Sequence, residues 1–111
     1  MSTSSQTLDK KTYSCTIVTP HGVVFSGEAL SIKAPGYTGE FGVLANHAAL
    51  VTVLTKGILI LKTSDQELFW AMSSGVLEVS PVSHDVLALV DNTVSAKTFE
   101  EAVEKLKEVK G

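Results

Sequence analysis

At 111 residues and 44% hydrophobic content the chain has material for one small core and is too short for two independent domains. Its net charge is −3 and arginine is absent, so no guanidinium fork is available to grip phosphates, and nucleic acid is disfavoured as a partner. The single cysteine, Cys15, excludes an internal disulfide.

Residues 1–12, MSTSSQTLDKKT, are polar and read as a disordered lead-in. They hold no apolar core of signal-peptide length, and without arginine they make a poor transit peptide. No window in the chain approaches the roughly 20 apolar residues of a spanning helix, so membrane association is expected only through a partner.

From Tyr13 to about Val90 short β-type runs alternate with turn residues, the pattern of an antiparallel sandwich or barrel. Tyr13 to Thr19 is a predicted strand, and Pro20-His21-Gly22 turns the chain into Val23 to Ser26. Gly27 then releases it into Glu28 to Lys33. Next comes Ala34 to Leu50, broken by Pro35, Gly36, Gly39 and Gly42 yet carrying Phe41, Val43 and Leu44, which reads as a shaped loop. Strands are expected over Ala48 to Leu54, Ile58 to Thr63, Glu67 to Ser73, Val76 to Ser80 and Asp85 to Val90. Ile58-Leu59-Ile60-Leu61 is apolar on both alternations, so its second face meets either a partner or another layer of its own domain. Phe69 and Trp70 point to opposite faces, one to the core and one to a surface. Beyond Asp91 the period changes to three and four residues, through Phe99, Ala102, Val103, Leu106 and Val109. This predicts one helix from about Ser95 to Lys110, opened by a capping box at Thr98.

The motifs of chemistry are missing. His21, His47 and His84 stand far apart, without HxH, HExxH or CxxC spacing, and no metal site is expected. There is no GxSxG elbow, and the glycines of GYTGEFG do not open a helix, so neither a nucleophile nor a phosphate cradle is supported. Glu28 and Glu40 read as solvated carboxylates rather than an acid/base pair. His47 is expected either to tie its loop to backbone or to face a partner. Cys15, in an alternating strand with no basic neighbour, reads as a packed thiol.

The segments IVTPHGVVFSGEA, APGYTGEFGVLANHAALVTVL, KGILIL and SSGVLEVS, in that order, closely resemble the epsilon subunit of bacterial and chloroplast rotary ATP synthases, whose mitochondrial equivalent is called delta. The likeness spans about Tyr13 to Asp91. It implies a mainly β fold, an antiparallel β-sandwich of about ten strands followed here by a short C-terminal α-helix, divided as a lead-in 1–12, a sandwich 13–91 and a helical tail 92–111. It further implies a non-catalytic rotor subunit without cofactor or metal, bound to the gamma subunit and the c-ring, coupling proton-driven rotation to ATP synthesis. By motif position Glu40, Gly42, His47 and Leu50 would lie at the c-ring contact, and Thr19 and Thr52 where the sandwich faces gamma. Location would be peripheral on the cytoplasmic face of the bacterial plasma membrane, or alternatively the stromal face of the thylakoid.

Two departures qualify the likeness. Asn46 stands at a frequent glycine position, and asparagine is the next residue most tolerant of a left-handed backbone. Family members with a regulatory arm have a second helix and, in some bacteria, an IDxxRA motif that helps hold ATP. Here KTFEEA places Thr98 and Glu101 at the aspartate and arginine positions, so no ATP binding in the tail and weak or no inhibition are expected. A free-standing β-sandwich ligand module is the alternative reading, weakened by the 6% aromatic content. A lipoyl or biotinyl carrier would need a lysine at a hairpin tip, where this chain has Ser64-Asp65-Gln66 and Ser74-Gly75.

Overall fold

The computed structural model describes residues 11–110, so most of the predicted lead-in lies outside the described residues. Ten strands follow in chain order: β1 (Tyr13–Thr19), β2 (Gly22–Ala29), β3 (Ser31–Gly36), β4 (Gly39–Leu44), β5 (Leu50–Leu54), β6 (Gly57–Lys62), β7 (Glu67–Met72), β8 (Gly75–Val79), β9 (Val86–Val90) and β10 (Thr93–Ala96). A helix α1 (Phe99–Lys105) and a 3-10 turn (Leu106–Glu108) close the chain.

The pairings make one continuous sheet that curls into two layers. One layer runs β4-β3-β6-β7-β10 and the other β5-β8-β9-β1-β2. They join where Gly36 of β3 meets Leu54 of β5. Every pairing is antiparallel except β1 with β9, which is parallel. The inward residues of both layers, among them Cys15, Ile17, Ile32, Leu59, Trp70, Leu77 and Ala88, form a single core. Two contacts bind layer to layer: Phe25 meets Trp70 edge-on with ring centroids 6.2 Å apart, and the Tyr13 hydroxyl donates to the Val43 carbonyl at 2.7 Å.

The Ala34 to Leu50 stretch is a hairpin rather than a loop over its first half. β3 and β4 pair from Ser31↔Leu44 to Gly36↔Gly39, leaving Tyr37 and Thr38 as the turn. Turn glycines here serve a strand pair, with Gly39 at φ 135°. A Cβ on Gly36 would stand 2.8 Å from both the Gly39 carbonyl and the Phe41 ring, so that glycine is required by packing.

The tail also differs from its expected span. Thr93–Ala96, short and bounded by polar residues, pairs with β7 as an edge strand, and the helix starts only at Phe99. Its capping box forms as the sequence suggests. Thr98 Oγ1 accepts from the Glu101 amide at 3.0 Å, and Glu101 Oε1 accepts from the Lys97 amide at 2.7 Å. The helix packs on β10, β7 and β6, burying Ala102. Ala71, on the outward alternation of β7, is wholly buried, and its outward neighbours Ile58, Ile60 and Phe69 are half-buried. The doubly apolar strand is therefore covered by the chain's own helix, while Trp70 is the core aromatic. Lys56 Nζ donates to the Val109 carbonyl at 2.9 Å and Asn92 Nδ2 to the Lys110 carbonyl at 3.0 Å, fastening the end of the tail to the sheet.

A candidate docking surface

The opposite layer has no such cover. Pairing partners point to the same side of a sheet, so its outward residues can be followed across the strands. Val53, Val76, Leu89, Val18 and Val23 form one row over β5, β8, β9, β1 and β2. Val51 and Leu87 stand in the next, on either side of Glu78. Several are more than half exposed: Val51 at 69%, Val23 at 64% and Val53 at 55%. The charged residues facing outward from this layer's strands are Glu28 and Glu78, and none is lysine. A continuous aliphatic face of this kind on so small a chain marks an interaction surface. The signal lay in LVTVL, GVLEV and VLALV, whose outward alternation is mostly aliphatic where a solvated face would be polar.

Beside it, between the free edges of β4 and β5, lies an open cleft of about 400 Å³. Glu40, Gly42, His47, Leu50 and Thr52 all line it, so five of the six residues singled out from the sequence come together there. Thr19 does not. It ends β1 next to Val18, its hydroxyl accepting from the His21 amide at 3.1 Å, at the margin of the aliphatic face. Thr52 sits on β5 between Val51 and Val53 but lies on the inward alternation, opposite Leu77.

Local backbone explains the cleft. Asn46 takes φ 64°, the left-handed geometry that asparagine tolerates, and the following His47 amide donates back to the Leu44 carbonyl at 3.2 Å. His47 Nδ1 donates to the Ala48 carbonyl at 2.9 Å, which leaves Nε2 as the ring's free acceptor. His84 Nδ1 in turn donates to the His47 carbonyl at 3.3 Å, tying this turn to the one before β9. His47 thus holds its loop and still borders the cleft. Glu40 is exposed and makes no hydrogen bond or ion pair among the described residues. Gly42 has no internal reason to be glycine: a Cβ there would meet nothing nearer than the Ile32 carbonyl at 3.7 Å, and its φ is not positive.

The chemistry of catalysis is not assembled here. Glu28 lies on one layer, accepting from Thr12 Oγ1 at 2.8 Å, and Glu40 on the other. Among the described residues no three of His, Cys, Asp or Glu are placed to hold a metal. Cys15 is fully buried, and burial pushes its thiol up to about 12, so it is neither a nucleophile nor a ligand at neutral pH.

Comparison with known proteins gives a consistent result. Residues 12–96 match the family described as ATP synthase, Delta/Epsilon chain, beta-sandwich domain. The ATP synthase epsilon chain of Sulfurimonas denitrificans is 36% identical over 104 residues, covering 85% of this chain and 78% of that one. That of Xanthomonas oryzae pv. oryzae is 42% identical over 99 residues, covering 87% and 69%. Among solved structures, a chain of the Euglena gracilis mitochondrial ATP synthase, in the assembly of OSCP, F1 and c-ring, superposes with a TM-score of 0.71 at 22% identity. That match covers 87% of this chain and 62% of the other, and at such identity it speaks for the fold.

Proposed function

The chain belongs to the ATP synthase delta/epsilon family, and from that membership we propose that it is the epsilon subunit of an F-type ATP synthase, a non-catalytic part of the central stalk. In this reading it binds gamma and the c-ring and passes rotation between them, and it meets the membrane through the complex, on the cytoplasmic face of a bacterial membrane. The observation that carries the proposal is the uncovered aliphatic face of β5, β8, β9, β1 and β2, on a sandwich whose other layer has the apolar outer side of β6 and β7 covered by α1. Coupling two bodies requires two separate surfaces. The aliphatic face, bordered by Thr19, suits a large apolar contact with gamma, where a buried centre supplies the energy. The β4–β5 cleft, with Glu40, Gly42, His47 and Leu50, suits a polar contact with the c-ring, and Thr52, read from the sequence as facing gamma, stands instead at the β5 wall of that same cleft, on the inward alternation.

The tail is proposed to be non-inhibitory. Thr98 and Glu101, which stand at the ATP-holding positions of the IDxxRA motif, are both engaged in capping α1. Ending the chain after Lys97, beyond β10, is expected to leave ATP hydrolysis by the assembled enzyme unchanged. A strong rise on deletion would show an inhibitory tail.

The test of the main proposal is binding of the full chain to purified gamma and to the gamma-bearing c-ring. Micromolar or tighter binding is expected, lost in Val76→Asp with the circular dichroism of the free chain preserved. Absence of wild-type binding at micromolar concentration would reject it.

A further inference from the structure

Beside the middle of the aliphatic row, where β8, β9 and β1 reach their ends, the surface hollows into a pocket of about 410 Å³. Val18 and Leu89 form its apolar sides, Gly75 contributes bare backbone, and Thr19 and Pro20 close the end. Asp91 stands at its rim, exposed, on the same outward alternation as Leu89. The Asp91 amide donates to the Ser74 carbonyl at 2.9 Å, which fixes the backbone, while its carboxylate has no hydrogen bond or ion pair among the described residues. The pocket is thus a mostly apolar slot with one free anion at its mouth. Of the outward charged residues on this layer's strands, Glu78 stands on the row beside Leu89 and Val76, Glu28 lies at the opposite end of β1–β2, and none is lysine.

Building on the proposed docking of gamma to this face, we infer that the pocket receives one long basic side chain of the partner, arginine or lysine. Its methylene stem lies over Val18 and Leu89, which pair side by side, and its cationic head reaches the Asp91 carboxylate. Long cationic side chains bury their stems on apolar surface while keeping the head in polar contact, which is the combination this slot offers. A purely apolar anchor would fill the slot but leave Asp91 desolvated and unpaired at the edge of the interface, an unfavourable arrangement. Glu78, in the neighbouring row, adds attraction for a basic segment and disfavours an acidic one. The partner surface is therefore an apolar band with a basic anchor on its border, level with β9 and β1.

The test measures binding of the full chain to purified gamma as a function of salt. Asp91→Asn is expected to weaken binding on the order of tenfold and to flatten the salt dependence, and Asp91→Lys to weaken it on the order of a hundredfold. Leu89→Ala is expected to weaken binding with the salt slope retained. One basic residue of gamma, reversed to glutamate, should lose binding to the wild type and regain it with Asp91→Lys. Wild-type binding with Asp91→Asn indistinguishable from it, in affinity and in salt slope, would overturn the anchor while leaving gamma docking intact. Failure of the wild type to bind gamma would overturn both.

Discussion

Two glycines with opposite reasons for being bare illustrate how much a single residue's surroundings decide. A Cβ on Gly75 would collide with the Leu89 carbonyl, so Gly75→Ala should cost about 1–3 kcal/mol by forcing β8 from β9. Gly42 has room, and Gly42→Ala should raise the stability of the isolated chain by about 0.5 kcal/mol, because glycine lowers strand stability through backbone entropy. Urea unfolding of both variants checks the contrast. If the cleft meets the c-ring, the same Gly42→Ala should weaken that contact while strengthening the fold. Cys15 gives a pH prediction. Burial holds its thiol at about 12 against an ordinary 9.0, so the unfolded thiol ionises first. The thiol's contribution to stability is present below pH 9 and is lost as pH rises toward 12, and burial of the Tyr13 hydroxyl acts in the same direction. Unfolding measured from pH 8 to 11 should show a shallower decline in Cys15→Ala than in the wild type. At this scale the sequence brought Glu40, Gly42, His47, Leu50 and Thr52 forward, although their meeting in one cleft depends on β4 and β5 facing each other.

Among the elements, those with strong alternation and clear turns were legible: β1 runs over the expected residues, and β6 to β9 begin and end within a residue of their expected bounds. β4 and β10 were not. In β4 the glycines that signal a loop by composition sit in a regular strand, where the pairing of Val43 and Phe41 with Ile32 and Ala34 outweighs propensity. In β10 four residues carry too little pattern to distinguish a strand from the approach to a helix. The helix itself is too short to stand alone and depends on its cap and its seat. Thr98→Ala should cost about 1 kcal/mol of local stability and speed amide exchange over residues 99–108, with the strands unaffected. Ending the chain after Lys97 should lower the melting temperature and promote self-association, because Ala71, Ile58, Ile60 and Phe69 would then lie open.

For the molecule as a whole, sequence alone conveyed the class of fold but not its sidedness. Alternation separates inward from outward residues on one strand. It does not say which outward faces the tail will cover, and that choice leaves the apolar outer side of β6 and β7 covered by α1 and the aliphatic face of the other layer open. The open face predicts behaviour of the isolated chain: light scattering should rise with salt, which screens the net charge of −3 and leaves apolar contact dominant, and Val76→Asp should suppress the rise. The parallel pairing of β1 with β9 has a further consequence, in time rather than in space. Residues 15–18 find their partners at residues 86–89, so at the ribosome β1 must wait for β9 to be made before the middle of its sheet exists. The row from Val53 to Val23 runs through that junction, and a partner that recognises it is thereby restricted to chains whose synthesis has passed β9. In the proposed stalk role, a copy cut short before β9 would present no intact face for its partner to bind.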